Sequence, residues 1–314
     1  SQPPIRALFR PGVDDLPVLL GPGDALPLSF IQEAGAAPAL LICDHASRAI
    51  PASLDRLGLD GADLARHIAW DIGVADVARL LAPRLDCPTV MAGFSRLVID
   101  ANRRTGSEGS IPVVSDGTRV PGNQDLGQRE REARVEQLFK PYHAAVVRLI
   151  EAKLAIRQRP LLIFLHSFTP VMDGFQRPWE VGILWNRDRR LAGLLIEAFR
   201  AKGLTTGDNE PYSGASTEDY GLHAHAEARG LPCALIEVRQ DLIDTRQGVR
   251  QWADLLHEVL APLLPQAASI AAAEGDTREL EGQLVESQQS VDQLTGQVST
   301  LNEEIDTLRE ELAA

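Results

Sequence analysis

The sequence predicts an α/β fold in which a mostly parallel sheet is flanked by helices in three layers. Short apolar runs that are typical of buried strands alternate along the chain with segments of helical periodicity. The segments between the runs are long enough to cross over the sheet and begin a new parallel strand. A length of 314 residues, 44% of them hydrophobic, suits one large domain or one domain with an appendage.

The elements follow from these patterns in chain order. The predicted strands are ALLICDH (39–45), CPTVMAGFS (87–95), RLVIDAN (96–102), PLLIFLHSF (160–168), WEVGILWN (179–186) and LPCALIEVRQD (231–241). Helices are expected over 61–85, 127–158, 187–203, 218–230 and 245–264. Gly73 is a possible break in the first helix, and Pro141 predicts a kink in the second. Residues 105–127, rich in Gly, Ser and Pro, predict a long loop.

The two ends of the chain differ from its middle. Residues 1–37 are rich in Pro and Gly and are expected to wrap the surface of a domain spanning 1–265. From residue 266 we expect a C-terminal helix, with coiled-coil heptads over 277–314. Most of its a positions are β-branched and most of its d positions are leucine, which favours a parallel two-stranded coil. We therefore expect a homodimer or higher oligomer, the alternative being a helix that packs on its own domain.

Composition excludes several classes of function. The net charge is −13, but residues 274–314 carry eleven acids and two bases, so the remainder carries only −4. No basic footprint predicts nucleic-acid binding, and no run of 18 apolar residues predicts a membrane span. The N-terminal residues contain no apolar signal-peptide core. Cys43, Cys87 and Cys233 are isolated in apolar contexts, which favours reduced, buried thiols in a cytoplasmic protein.

Four predicted strands end in polar residues, although such groups are costly to bury without partners. Ligands of open α/β sheets collect at the carboxyl ends of strands, so these endings predict a site. They are Asp44 and His45; Asp100, Asn102 and Arg103; His166; and Glu237 and Arg239.

The two strand-end histidines, His45 and His166, are candidate metal ligands, because imidazoles held at such positions commonly bind metals. Asp71, which a continuous helix would put on the same face as His67, could complete a set of two histidines and one carboxylate. Asp44 is the competing third ligand. The alternative for both histidines is a hydrogen-bonded place in the core. His143 and His257 lie on predicted amphipathic helices, and we interpret them as structural.

Glu237 and Arg103 are the other candidates for chemistry. Glu237 beside a metal-bound water would act as general base, and the alternative is an ion pair with Arg239 or Arg96. The planar guanidinium of Arg103, with Asn102, suits a substrate carboxylate, and the alternative is a scaffold of salt bridges. His225 either contacts substrate or is a solvated helix residue, and Arg239 is expected near the substrate or beside Glu237.

Five motifs in order resemble the N-formylglutamate amidohydrolase family between about residues 37 and 262. They are CDHASRAIP (43–51), HIAWDIG (67–73), FSRLVIDANR (94–103), FLHS (164–167) and LIEVRQD (235–241). The resemblance implies a zinc hydrolase with the phosphorylase/hydrolase-like fold of the zinc carboxypeptidases. The His-x-x-Glu spacing of those carboxypeptidases is absent, because position 48 is arginine, and Asp71 is therefore the expected acidic ligand.

Carried over residue by residue, the resemblance implies one Zn²⁺ held by His45, Asp71 and His166, with Glu237 as base. Asn102 and Arg103 match the carboxylate clamp, and Arg96 would polarise the carbonyl oxygen. The implied reaction is hydrolysis of an N-formyl or N-acyl amino acid, with N-formyl-L-glutamate as the first expectation. The alternatives are an amidase or peptidase acting on another carboxylate-bearing small molecule, and an inactive coiled-coil assembly protein.

Overall fold

The computed structural model describes residues 16–216 and 219–273, and these form a seven-stranded sheet covered by helices on both faces. The strands are β1 (Leu28–Ile31), β2 (Ala39–Cys43), β3 (Thr89–Ala92), β4 (Leu161–Phe168), β5 (Val181–Leu184), β6 (Thr206–Asp208) and β7 (Cys233–Arg239).

The sheet has the order β1-β3-β2-β4-β7-β5-β6. Strands β3, β2, β4 and β7 are parallel to their neighbours within this group. The outer strand β1 runs antiparallel to β3, and β5 and β6 run antiparallel to β7. The mostly parallel α/β sheet predicted from the sequence is therefore confirmed. Two strands, β1 and β6, were not predicted, and β1 shows that part of the segment expected to wrap the surface joins the sheet edge.

Six helices are described: α1 (Val74–Leu85), α2 (Gln128–Arg134), α3 (Lys140–Ala155), α4 (Arg190–Ala201), α5 (Arg246–Leu260) and α6 (Ala267–Ala272). Helices α1, α4, α5 and α6 pack on one face of the sheet, where Ile163 points. Helix α3 packs on the other face with Phe164. Successive side chains of a strand point to opposite faces, so both sides of β4 are apolar and the domain has three layers.

The first predicted helix is shorter than expected. Its residues become helical only at Val74, and both His67, in a turn, and Asp71, in irregular backbone, precede it. Asp71 is instead fixed to the end of β2, because its backbone N–H donates to the His45 carbonyl at 2.9 Å. Gly73 has φ +83°, and a Cβ there would lie 2.2 Å from the Ile243 carbonyl oxygen. The prediction that His67 and Asp71 share one face of a helix is therefore wrong.

The predicted strand at 96–102 is wrong as well. Short polar side chains bond to nearby backbone in this segment, which favours turns over a strand ladder. Ser95 Oγ accepts from the Leu97 N–H at 3.1 Å, and Asp100 Oδ1 accepts from the Asn102 N–H at 2.8 Å. The apolar residues between them fill a third core cluster beneath the loops rather than the sheet.

Two other predicted helices contain irregular turns. A π turn over Val135–Phe139 separates α2 from α3, just before Pro141. Pro141 cannot donate a backbone hydrogen bond, and its ring crowds the preceding turn. These two properties account for the irregular turn just before Pro141, where the sequence predicts a kink. The expected helix at 218–230 is a π turn over Leu222–Ala226 followed by a 3₁₀ turn over Glu227–Arg229.

The last described helices concern two expectations: that the chain has no membrane span, and that the domain ends at residue 265. The helical segment Arg246–Ala272 is long and apolar enough to be a candidate membrane span, with mean hydropathy 1.2. Its apolar side chains, among them Trp252, Leu256 and Ile270, pack in the domain core, which accounts for its composition. The division at residue 265 stays a prediction, and the heptads over 277–314 lie outside the described residues.

Candidate metal centre and active site

The site lies where the parallel strands end. Asp44 and His45 follow β2 directly, and His166 lies near the end of β4. Glu237 of β7 is the register partner of His166 on the neighbouring strand. Their shared position follows from the rule that carboxyl ends of parallel strands meet at one edge of a sheet. Asp44, His45, His166 and Glu237 are all buried there. The structure therefore brings these four residues together, as the sequence predicts.

His45, Asp71 and His166 form the group that could hold a metal ion. One ligand atom of each lies within 4.8 Å of the others. Asp71 Oδ2 lies 3.0 Å from His166 Nδ1 and 3.3 Å from His45 Nδ1. Donor atoms that share a tetrahedral zinc ion at about 2.0–2.2 Å lie roughly 3.3–3.6 Å from one another. The two imidazoles and the carboxylate therefore fit a divalent cation, and zinc, manganese or iron would suit this donor set.

The second nitrogen of each imidazole contacts another carboxylate. His166 Nε2 lies 3.1 Å from Asp44 Oδ2, and His45 Nε2 lies 2.7 Å from Asp100 Oδ1. Metal-binding histidines usually donate their other ring N–H to such a group, which fixes the tautomer and ring orientation. This geometry separates the two competing acids, because Asp71 faces Nδ1 of both rings whereas Asp44 lies behind His166.

Each supporting carboxylate is in turn held by a further side chain. The Tyr142 hydroxyl, on α3, donates to Asp44 Oδ1 at 2.8 Å. Arg96 donates from Nε to Asp100 Oδ2 at 3.0 Å. The sequence analysis did not identify Tyr142. Its only local signal is a hydroxyl group on a helix face whose other residues are mostly apolar and buried. These contacts show how three buried carboxylates, the half-buried Arg96 and two imidazoles are satisfied within one network.

The charge around the histidines changes their proton affinity. Burial lowers the pKa of His166, but contacts with Asp44 and Asp71 outweigh burial and raise it well above its usual value. Burial and Arg96 lower the pKa of His45, and Asp100 and Asp71 raise it overall. Burial raises the pKa of Asp71, while both histidines hold it low. The carboxylates thus favour a cation at this position, either protons or a metal ion that replaces them.

Glu237 differs from the other acids because its carboxylate is not paired. Its side chain is buried, and Oε2 has no hydrogen-bond partner among the described residues. Burial raises the pKa of Glu237 to about 7, and the charge of Asp71 also raises it. The expected alternative, an ion pair with Arg239 or Arg96, is absent from the described ion pairs. A carboxyl group with such a pKa beside a metal-capable set is suited to general acid–base chemistry.

One cavity of about 700 Å³ joins these groups. It is lined by His45, Asp71, His166 and Glu237, and also by Arg96, Asn102 and Arg103. Arg103 donates to Asp219 and to the Asn102 carbonyl, while Asn102 Oδ1 accepts from the Tyr220 and Gly221 N–H groups. The end of the motif FSRLVIDANR (94–103) thus lines the site and is also braced by hydrogen bonds. Asp219 was missed by sequence reasoning.

Two predicted substrate-binding residues lie away from the cavity. His225 is buried, and its Nε2 lies 2.8 Å from His143 Nδ1, with the two rings stacked. Arg239 donates from Nε to Asp241 Oδ1 at 2.8 Å. Neither residue is among those that line the cavity, because their side chains are turned toward other elements. His67 does line it, 3.5 Å from Asp116 Oδ2, rather than joining the metal-capable group.

Comparison with known proteins identifies the family of the chain. The N-formylglutamate amidohydrolase family model matches residues 37–244. The chain is similar to the gene product Atu2144 of Agrobacterium tumefaciens, with 36% identity, a TM-score of 0.74, and coverage of 79% of this chain and 98% of that one. No curated protein sequence matches significantly.

A second solved structure, the N-formylglutamate amidohydrolase of Ralstonia eutropha JMP134, shares the fold at 18% identity and a TM-score of 0.53. Coverage is 77% of this chain and 98% of that one. The family match spans most of the domain and includes every strand-end residue described above. The chain therefore belongs to the N-formylglutamate amidohydrolase family.

Proposed function

We propose that this protein is a zinc-dependent amidohydrolase that cleaves the amide bond of an N-formyl or N-acyl amino acid, with N-formyl-L-glutamate as the first substrate to test. The observation that carries the proposal is the unpaired, buried Glu237 on the strand next to His166, in the cavity that also contains His45 and Asp71. Family membership supports the reaction class.

His45, Asp71 and His166 would hold one metal ion per chain. When bound, zinc supplies Lewis-acid activation of a water molecule and of the amide carbonyl. Asp44 and Asp100 keep the two imidazoles oriented through Nε2, so the Nδ1 atoms stay directed toward Asp71. Both carboxylates remain ionised despite burial, because Arg96 and His45 hold the pKa of Asp100 well below its usual range and the contact with His166 lowers the pKa of Asp44.

Glu237 would take the proton of the attacking water and then give it to the leaving nitrogen. Oxygen adds to the acyl carbon, the C–N bond breaks, and the products are formate, or another small acid, and a free amino acid. Arg96 lines the cavity with its guanidinium fixed by Asp100, so it can stabilise negative charge that develops on the carbonyl oxygen.

Arg103 would bind the substrate carboxylate together with Asn102. The side chain of Arg103 lines the cavity and is 26% exposed. Replacement by lysine retains the charge but removes the bidentate geometry. We expect Arg103→Lys to raise KM about tenfold, the loss of roughly one hydrogen bond, with little change in the urea midpoint of unfolding. If the free energy of unfolding falls by as much as the free energy of substrate binding, the result would instead favour a structural role for Arg103 in a scaffold of salt bridges.

The direct test measures formate release from N-formyl-L-glutamate by the zinc-loaded protein and by Glu237→Gln. Glutamine keeps the shape of the side chain but cannot accept the proton, so we expect kcat to fall by about 10²–10⁴-fold with zinc content unchanged. Glu258→Gln, on the exposed side of α5, is the matched control. No formate at any pH with zinc present would exclude this substrate.

Self-association and cellular location complete the proposal. The heptads over 277–314 support a homodimer or larger assembly. Light scattering with and without residues 276–314 would test it, and a monomer in both forms would exclude it. Cys43, Cys87 and Cys233 are unpaired and buried, which supports a cytoplasmic location.

A further inference from the structure

Two short hairpins, from separate segments of the chain, contribute residues to the cavity. The first hairpin pairs Val114–Ser115 with Thr118–Arg119, and the second pairs Val171–Met172 with Phe175–Gln176. Each has an Asp-Gly loop with positive φ at both positions, the geometry of a two-residue hairpin turn. Ser115 and Asp116 of the first, and Met172 and Asp173 of the second, line the same cavity as Glu237.

The two hairpins present different chemistry to the cavity. Beside the first hairpin the lining is polar, with Ser115, Asp116 and His67. Beside the second, Asp173 is accompanied by three side chains with large apolar surfaces, Phe168, Met172 and Tyr212. Phe175 lies directly opposite Met172 in the hairpin, and opposed residues share one face of a ribbon. Phe175 is 59% exposed and lies outside the cavity lining, so it continues the Met172 face beyond the cavity. We call Phe168, Met172, Tyr212 and Phe175 together the apolar wall.

The apolar wall is supported from behind. Arg177 is buried, and its guanidinium carbon lies 4.8 Å from the Tyr212 ring centroid and 5.8 Å from that of Phe168. It also donates to the Tyr212 hydroxyl at 3.0 Å and to the Thr169 side chain at 3.2 Å. Because these contacts fix Tyr212 beside Phe168, the wall is an ordered surface rather than a set of scattered exposed residues.

The volume of the cavity exceeds the needs of an N-formyl amino acid. Pockets of about 300–1,000 Å³ hold drug-sized ligands, and this cavity of about 700 Å³ falls in that range. Resting on the proposed function, we infer that the substrate carries, besides its carboxylate, an apolar group of benzyl size that packs on Phe168, Met172, Tyr212 and Phe175. That group is either the side chain of the amino acid or the extension of its acyl group.

Two matched substrate pairs distinguish these sources. N-formyl-L-phenylalanine is compared with N-formyl-L-alanine, and N-phenylacetyl-L-glutamate with N-acetyl-L-glutamate. We expect the aromatic member to have at least a tenfold higher kcat/KM in one pair, since a few buried methylenes give roughly that discrimination. Met172→Ser and Phe175→Ser should each reduce this preference severalfold. Ile156→Ser, at an exposed position outside the cavity lining, should leave it unchanged.

A binding measurement separates failure of this inference from failure of the proposed reaction. Calorimetry compares 3-phenylpropanoate with propanoate on the zinc-loaded protein, and again on Met172→Ser. Tenfold tighter binding of the aromatic acid that is lost in the variant supports the apolar wall even if no amide is hydrolysed. Equal binding of the two acids, or an aromatic preference that both serine variants leave intact, would overturn the inference while the hydrolase proposal stands.

Discussion

The protein contains two pairs of buried histidines that lie in contrasting surroundings. His45 and His166 have carboxylates at both ring nitrogens, and their pKa values are raised. His143 and His225 contact each other, burial lowers their pKa values to about 3 and about 4, and His143 Nε2 donates to the Ala101 carbonyl.

Burial is common to both pairs, so it does not explain the difference. Burying an imidazole favours its neutral form, and only nearby negative charge reverses that preference. The first pair is therefore built to hold a cation, whereas the second links α3 to the loop beside Asp100 as a neutral pair. A buried histidine becomes a candidate ligand through its partners and not through burial itself.

The largest expected effect comes from removing the charged pair. The double variant His45→Ala, His166→Ala should lose its zinc and at least about 10³-fold in activity, because two of three ligands are gone. Metal analysis of purified protein beside formate release measures both. His143→Ala, His225→Ala is the matched control and should keep about one zinc per chain. Loss of zinc from both variants would remove the distinction between the pairs.

A smaller effect should follow from a change behind the ligands. Asp44→Asn keeps the shape of the side chain but removes the charge that orients His166 through Nε2. Outer partners of this kind usually contribute about 10–100-fold to metal affinity, so competition with a chelator should show weaker zinc binding in that range. Asp76→Asn, an exposed acid on α1, should bind zinc like the wild type.

The smallest effect concerns the neutral pair and acid stability. His143 and His225 bind protons more weakly in the folded protein than at the usual pKa of 6.5, so the unfolded chain takes up more protons between pH 4 and 6.5. Stability should therefore rise with pH through this window, by up to about 1.4 kcal/mol per pH unit for each histidine. Urea unfolding of metal-free protein would measure the slope.

The matched variant for this measurement is His143→Gln, His225→Gln. Glutamine can donate and accept hydrogen bonds but does not titrate, so the slope between pH 4 and 6.5 should become shallower. An unchanged slope would mean that the two histidines bind protons equally in the folded and the unfolded protein, and the contrast between the pairs would then be wrong.

Part of the site could be predicted because it depends on local pattern. The apolar runs that end in Asp44 and His45, in His166 and in Glu237 identify strands and place these residues at one edge of a parallel sheet. The segment RLVIDAN shows the limit of this reasoning, since its apolar residues suit a strand equally well. Hydrogen bonds from Ser95 and Asp100 to nearby N–H groups decide for turns.

The sequence by itself determined the α/β class, the strand-end histidines, the base candidate Glu237 and the reduced cysteines. Only the tertiary structure decided that Asp71 rather than Asp44 faces both Nδ1 atoms, that His225 pairs with His143, and that two hairpins line one cavity. Periodicity and composition are properties of neighbouring residues. Partners such as Tyr142 and Asp44 are 98 positions apart, so their contact depends on how helices and loops pack around the sheet.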